Sequence, residues 1–129
     1  MNGRKVLVAD DEAHIVHVVS LKLRNAGYDV ATAQDGDEAL ELALADPPHL
    51  IITDLQMPYM SGVELATALR DKPDTADIPV IMLTARGYAL SQDDLAKTNI
   101  KTVMSKPFSP RQVLERANEL LSSTEAEAA

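Results

Sequence analysis

The chain has 129 residues, 46% hydrophobic and 25% charged, which is the composition of one ordinary globular domain able to bury roughly two-thirds of its unfolded surface. It contains no cysteine, so disulfides and thiolate metal sites are excluded, and 12 Lys/Arg against 20 Asp/Glu give a formal charge of −8 that argues against broad binding to nucleic acid or anionic lipid. Aromatics are 3% with no Trp, which leaves little to stack on bases or sugars, and apolar runs such as Leu50–Ile52 and Val80–Leu83 are far too short to cross a bilayer.

From the N-terminus, Arg4-Lys5 leads straight into the short run Val6–Ala9, the pattern of a strand and not of a secretory signal, so a cytoplasmic domain is expected. Residues Glu12 to Asn25 then repeat at helical spacing, with Ile15, Val18, Val19 and Leu23 on one face and Gly27 just past the end. Val30–Ala33 predicts a second strand, followed by a helix from about Asp37 to Ala45 that Asp46-Pro47-Pro48 stops. Leu50–Thr53 predicts a third strand and Val63–Arg70 a third helix. Val80–Leu83 predicts a fourth strand, and Gln92–Thr98, after a Ser91 cap, a weaker helix. Lys101–Met104 predicts the fifth strand. The last helix opens at Ser109-Pro110-Arg111-Gln112, with Ser as cap, Pro at the first helical position and Gln three residues after the cap. Its apolar face is Val113, Leu114, Ala117, Leu120 and Leu121. The strands are mostly continuous apolar runs, as strands covered on both faces are, and every connection is long enough for a crossover. The expected architecture is therefore a five-stranded parallel α/β sheet with five helices on both faces, one domain over residues 4–121, and an acidic tail or frayed helix end over 122–129.

Open parallel sheets bind ligands outside the carboxyl ends of their strands. At those ends lie Asp10 and Asp11, then Asp54, Thr84-Ala85, and Lys106-Pro107-Phe108. Each alone has an ordinary reading: Asp11 as a helix cap, Asp54 as loop chemistry, Thr84 as a strand residue, Lys106 as a solvated lysine in a turn. Together they do not, because two carboxylates about 5 Å apart repel by roughly 3 kcal/mol at an effective dielectric of 20 and the fold gains nothing in return. Oxygen donors without His or Cys favour a hard cation, Mg²⁺ being typically held by one or two carboxylates plus phosphate oxygens, and a carboxylate beside such an ion can act as a nucleophile toward phosphorus. A Lys and a Thr stand where a transferred phosphoryl group would need partners.

These residues, with the block Asp54-Leu55-Gln56-Met57-Pro58-Tyr59-Met60-Ser61-Gly62, resemble the receiver domains of bacterial two-component response regulators. The likeness runs from about Lys5 to Leu121, and the intervals of thirty positions from Asp54 to Thr84 and twenty-two from Thr84 to Lys106 are also receiver-like. The resemblance implies a flavodoxin-like, CheY-like sheet of strand order 2-1-3-4-5. It implies that Asp54 accepts a phosphoryl group from a histidine kinase or histidine phosphotransfer protein. Asp11, the Asp54 side chain and the backbone carbonyl of Gln56 would hold Mg²⁺, with Asp10 acting through metal-bound water. Lys106 would pair with one phosphoryl oxygen and Thr84 would move to bond another, making a switch. The chemistry would be self-directed phosphotransfer and autodephosphorylation, without turnover of a separate substrate. An output partner, or an output domain outside this sequence, would be reached through helix 4, strand 5 and helix 5, with no direct contact of this domain to nucleic acid or membrane.

Several positions depart from the receiver pattern. The aromatic usual three residues before the Lys is Val103, which cannot sweep the volume of a ring. Asn99-Ile100 replaces a common Gly-Ala, and Lys101-Thr102 replaces an acidic pair used in one class of receiver dimers. Gln56 and Arg86 border the phosphoryl site and would influence hydrolysis. Tyr88 and Leu90 would form an exposed partner patch. Met57, Met82 and Met104 read as core fillers, His49 as structural, and His14 and His17 as ordinary helix residues rather than ligands of a transition metal. Two alternatives compete: a pseudo-receiver acting through constitutive protein contacts, and an Asp-nucleophile phosphatase, against which Gln56 stands where a second Asp is usual. A flavin carrier is excluded, since neither the first nor the third strand leads into a Ser/Thr/Gly-rich phosphate loop.

Overall fold

A computed structural model of the chain describes residues 4–85 and 90–128, with side chains to residue 122; Arg86 and Tyr88 lie outside the described residues. The β-branched runs form β1 (Lys5–Ala9), β2 (Asp29–Ala33), β3 (Leu50–Asp54), β4 (Val80–Thr84) and β5 (Ile100–Ser105). Between them stand α1 (Ala13–Asn25), α2 (Gly36–Ala45), α3 (Gly62–Arg70) and α4 (Gln92–Ala96), and α5 (Pro110–Ala128) follows. All strands are parallel and lie in the order β2-β1-β3-β4-β5, as expected.

Successive strand residues point to opposite faces, and here both faces are covered. Leu7, Ile51 and Met82 pack with Ala39 and Ala43 of α2 and Leu65 and Leu69 of α3. Val6, Val8, Ile52, Ile81 and Leu83 pack on the other face with Val19 and Leu23 of α1 and Val113, Ala117 and Leu121 of α5. Each such buried aliphatic side chain contributes about 1.5–3 kcal/mol, which explains why the strands read as unbroken apolar runs.

The helix boundaries have local causes. Past the end of α1, Gly27 takes φ 100°, Tyr28 N–H bonds the Leu23 carbonyl and Gly27 N–H bonds the Arg24 carbonyl. That is a Schellman motif, sealed by burial of Tyr28 and Leu23 in one core. Asp35, Ser61, Ser91 and Ser109 each accept a backbone N–H of their helix's first turn through the side chain. Ser61 with Glu64 and Ser109 with Gln112 complete reciprocal capping boxes.

Strand β5 is an edge and its burial alternates: Ile100 is buried, while Lys101, Val103 and Ser105 are exposed. Helix α4 has only five residues, and none of them is buried. The register against β4 also slips between Val80 and Ile81. No helix among the described residues is long and apolar enough to cross a membrane.

Candidate functional site

The carboxyl ends of β1, β3, β4 and β5 bring the chemistry-bearing residues to one edge. Backbone bonds continue the sheet just past its strands: Asp10 N–H to the Ala33 carbonyl at 3.2 Å, Leu55 N–H to Leu83 at 2.9 Å and Lys106 N–H to Thr84 at 2.8 Å. These fix Asp10, Asp54 and Lys106 to the rigid layer and not to free loops. Two tight turns follow the acids, with Glu12 N–H donating to Asp10 Oδ1 at 2.9 Å and Gln56 N–H to Asp54 Oδ2 at 3.1 Å. Helix α3 starts hard against this edge because Gly62 lacks a side chain. A Cβ there would strike the Asp54 carbonyl oxygen and the Met82 sulfur.

The Lys106 ammonium stands among three acids, 2.9 Å from Asp54 Oδ1, 2.8 Å from Glu12 Oε1 and 3.7 Å from Asp10 Oδ2. Carboxylate oxygens of Asp10, Asp11 and Asp54 all lie within 4.8 Å of one another. Above them opens a cleft of about 480 Å³ lined by Asp11, Glu12, Asp54, Gln56, Ala85 and Lys106. Burial lifts the Asp10 carboxyl to about 6, against the opposing bond from Glu12 N–H and with help from the Asp54 charge. Burial also raises Asp54, although the Lys106 hydrogen bond pulls the other way. Burial works against the Lys106 ammonium too, but bonds to Glu12 and Asp54 outweigh it and hold its pKa above the ordinary lysine range. The Lys106 hydrogen bond holds the Glu12 carboxyl below its ordinary value.

One ammonium does not balance this set. The buried Asp10 Oδ2 has no hydrogen-bond partner, and a buried carboxylate oxygen left so is costly. An all-oxygen cluster with an orphaned buried acceptor fits a hard divalent cation of the Mg²⁺ type.

Residues 6–118 match the family model described as the response regulator receiver domain. The chain belongs to that family. Receiver domains of this family typically bind Mg²⁺, and the acidic cluster of this one has the donors for it. The receiver is 38% identical over 123 residues to the alkaline phosphatase synthesis transcriptional regulatory protein PhoP of Bacillus subtilis, covering 95% of this chain and 50% of that one. It is 36% identical to the phosphate regulon transcriptional regulatory protein PhoB of Pseudomonas aeruginosa, covering 96% and 54%. Among solved structures it is similar to the chemotaxis response regulator CheY4 of Vibrio cholerae, with TM-score 0.83, 34% identity, and 91% and 98% of the two chains covered. The chain spans about half the length of the curated relatives it matches.

The receiver places the remaining sequence candidates as follows. Thr84 ends β4 but is buried, its hydroxyl donating a long 3.5 Å bond to the Met104 carbonyl and not lining the cleft. Gln56 lines the cleft and its amide bonds Asp54. His14 and His17 are exposed on α1 and stand outside the acidic group. His49 Nδ1 accepts the Lys5 N–H at 2.9 Å, a structural tie at the opposite end of the sheet. Met82 is core with Met57 partly buried against the same face, and Met104 is partly buried against the other, α1–α5 face. Leu90, expected in an exposed patch with Tyr88, is instead partly buried against the core beneath α2 and α3.

Sequence reasoning missed Glu12, reading it as the first residue of a helix. It is the N-cap of α1, yet its side chain makes no cap bond and goes to Lys106 instead. The helix thereby forgoes a stabilisation of about 0.5–2 kcal/mol, and a glutamate at a position that favours Ser, Thr, Asp or Asn was the available signal. Tyr59 was also unforeseen as a strained residue: it takes φ 71° and is 83% exposed. Left-handed backbone costs an L-residue roughly 1–2 kcal/mol, and so exposed a ring returns little packing. Tyr59→Asn, which tolerates that conformation, is expected to raise stability by about 0.5–1 kcal/mol. The denaturant midpoint should rise at unchanged slope; a fall would show that the ring is held by contacts worth more than the strain.

Proposed function

We propose that this receiver accepts one phosphoryl group on Asp54 from a histidine kinase or histidine phosphotransfer protein, and so controls an output partner or domain. The observation that carries the reading is the Asp54 side chain, only 8% exposed at the end of β3, bonded to Lys106 and grouped with Asp10 and Asp11 under an open cleft. A carboxylate oxygen of Asp54 attacks phosphorus, the donor's P–N bond breaks, and its electron pair leaves with the imidazole nitrogen. Asp11, the Asp54 side chain and the Gln56 carbonyl would hold Mg²⁺, with Asp10 reached through water. When bound, the ion supplies charge neutralisation among carboxylates and phosphoryl oxygens. Lys106 takes a phosphoryl oxygen, exchanging part of its existing set of acids for it.

The new group is a dianion with three acceptor oxygens. Thr84 is suited to answer it, since its hydroxyl gives up only a 3.5 Å bond when it turns toward the site. That motion passes to β5 through the Thr84–Ser105 register and to the exposed Val103, so α4, β5 and α5 form the output face. The chemistry is self-directed: phosphotransfer onto Asp54 and later hydrolysis of the aspartyl phosphate.

The test is an amide NMR spectrum with Mg²⁺ before and after beryllofluoride, a stand-in for the aspartyl phosphoryl group. Signals of Leu55, Gln56, Ala85 and Lys106 should shift, with changes spreading through Val103 into α4 and α5. An unchanged spectrum would overturn the reading in favour of a constitutive protein-interaction module.

A further inference from the structure

Lys106 has three acidic partners, and they are not equivalent. The side chains of Asp10 and Asp54 are 0% and 8% exposed, whereas that of Glu12 is 60% exposed. Only Glu12 can trade Lys106 for water without leaving a buried charge unpaired. Glu12 is also the N-cap whose side chain leaves its own helix, while Asp35, Ser61, Ser91 and Ser109 all cap theirs. Its backbone N–H holds Asp10 Oδ1 at 2.9 Å as its carboxylate holds Lys106 Nζ at 2.8 Å, so one residue braces two members of the cluster.

We infer that Glu12 is a positioning residue that holds the Lys106 ammonium in the unmodified receiver and competes with a phosphoryl group on Asp54 for it. The inference rests on Asp54 being the acceptor. A phosphoryl dianion beside Lys106 outbids an exposed, water-screened carboxylate, and Glu12 swings into solvent as the lysine turns to its new partner. Until then Glu12 keeps Lys106 over the cleft and adds a negative charge at its rim, which opposes an incoming anion. Glu12 therefore sets how readily the site accepts the group.

The experiment compares the whole chain with Glu12→Gln and with Asp37→Asn, which removes an exposed acid on α2 that makes no ion pair among the described residues. The first readout is the mobility of the Lys106 side chain by NMR relaxation, without any phosphoryl mimic. The second is the affinity for beryllofluoride with Mg²⁺, by amide NMR titration. Glu12→Gln should loosen Lys106 in the free domain, leave it ordered in the beryllofluoride complex, and tighten binding about three- to tenfold. Asp37→Asn should change neither. A Lys106 as ordered in Glu12→Gln as in the parent, unchanged or weaker binding, or an equal gain in Asp37→Asn would each overturn the inference. A parent chain that binds no beryllofluoride would instead sink Asp54 as acceptor, and the free-domain lysine readout would still show whether Glu12 holds Lys106.

Discussion

Asp54→Asn is expected to cut phosphoryl incorporation from acetyl phosphate by at least about a hundredfold while leaving the receiver folded. In the parent, intact mass should show one phosphoryl group per chain, dependent on Mg²⁺ and lost on chelation. The amide cannot act as nucleophile, yet it keeps the shape and the acceptor that Gln56 N–H uses at 3.1 Å. Since burial already disfavours the Asp54 charge, the variant's metal-free melting temperature should not fall. Incorporation that persists in Asp54→Asn would place the acceptor elsewhere, and a melting temperature well below the parent's would make the lost incorporation uninformative about chemistry.

The second large effect is on stability. Asp10 is fully buried and its carboxyl is raised from 3.8 to about 6, chiefly by burial. Between those two values the folded chain binds more protons than the unfolded one, so this contribution is intact below about pH 4 and lost as the pH rises through 6. The full loss corresponds to about 3 kcal/mol at most. Asp10→Asn keeps the acceptor for Glu12 N–H and removes the charge, so without metal it should be about 1–3 kcal/mol more stable than the parent at pH 7.5. That advantage should vanish near pH 4. Added Mg²⁺ should reverse the order by stabilising the parent more than the variant. Urea midpoints across this range, with and without Mg²⁺, provide the measurement; an advantage over the parent no larger at pH 7.5 than at pH 4 would show that the buried Asp10 charge does not cost the fold stability.

Much of this was legible in the sequence because both faces of the sheet are covered. Leu50–Thr53 and Val80–Leu83 read as strands without alternation, and their ends delivered Asp54 and Thr84 to one edge. The Ser109 box and the Gly27 stop also fell where local chemistry put them. Strand β5 was less clear, since its exposed positions Lys101, Val103 and Ser105 and its slipped register blur its limits, which are Ile100 and Ser105. Glu12 and Lys106 are 94 residues apart, and no periodicity links two side chains that meet only when β1 and β5 end at the same edge. The aim of the Thr84 hydroxyl toward Met104 is likewise a matter of rotamer, to which residue type is blind.

An edge strand with free peptide groups invites another strand to add to it, a hazard for any open sheet. At β5 that invitation is withdrawn twice. Lys101 projects an ammonium from the rim, and the slip between Val80 and Ile81 bends the ladder out of the straight line an incoming strand would need. What remains for a partner to read is the exposed face of the strand, with Lys101 and Val103 on its surface, so shape and charge govern what binds there.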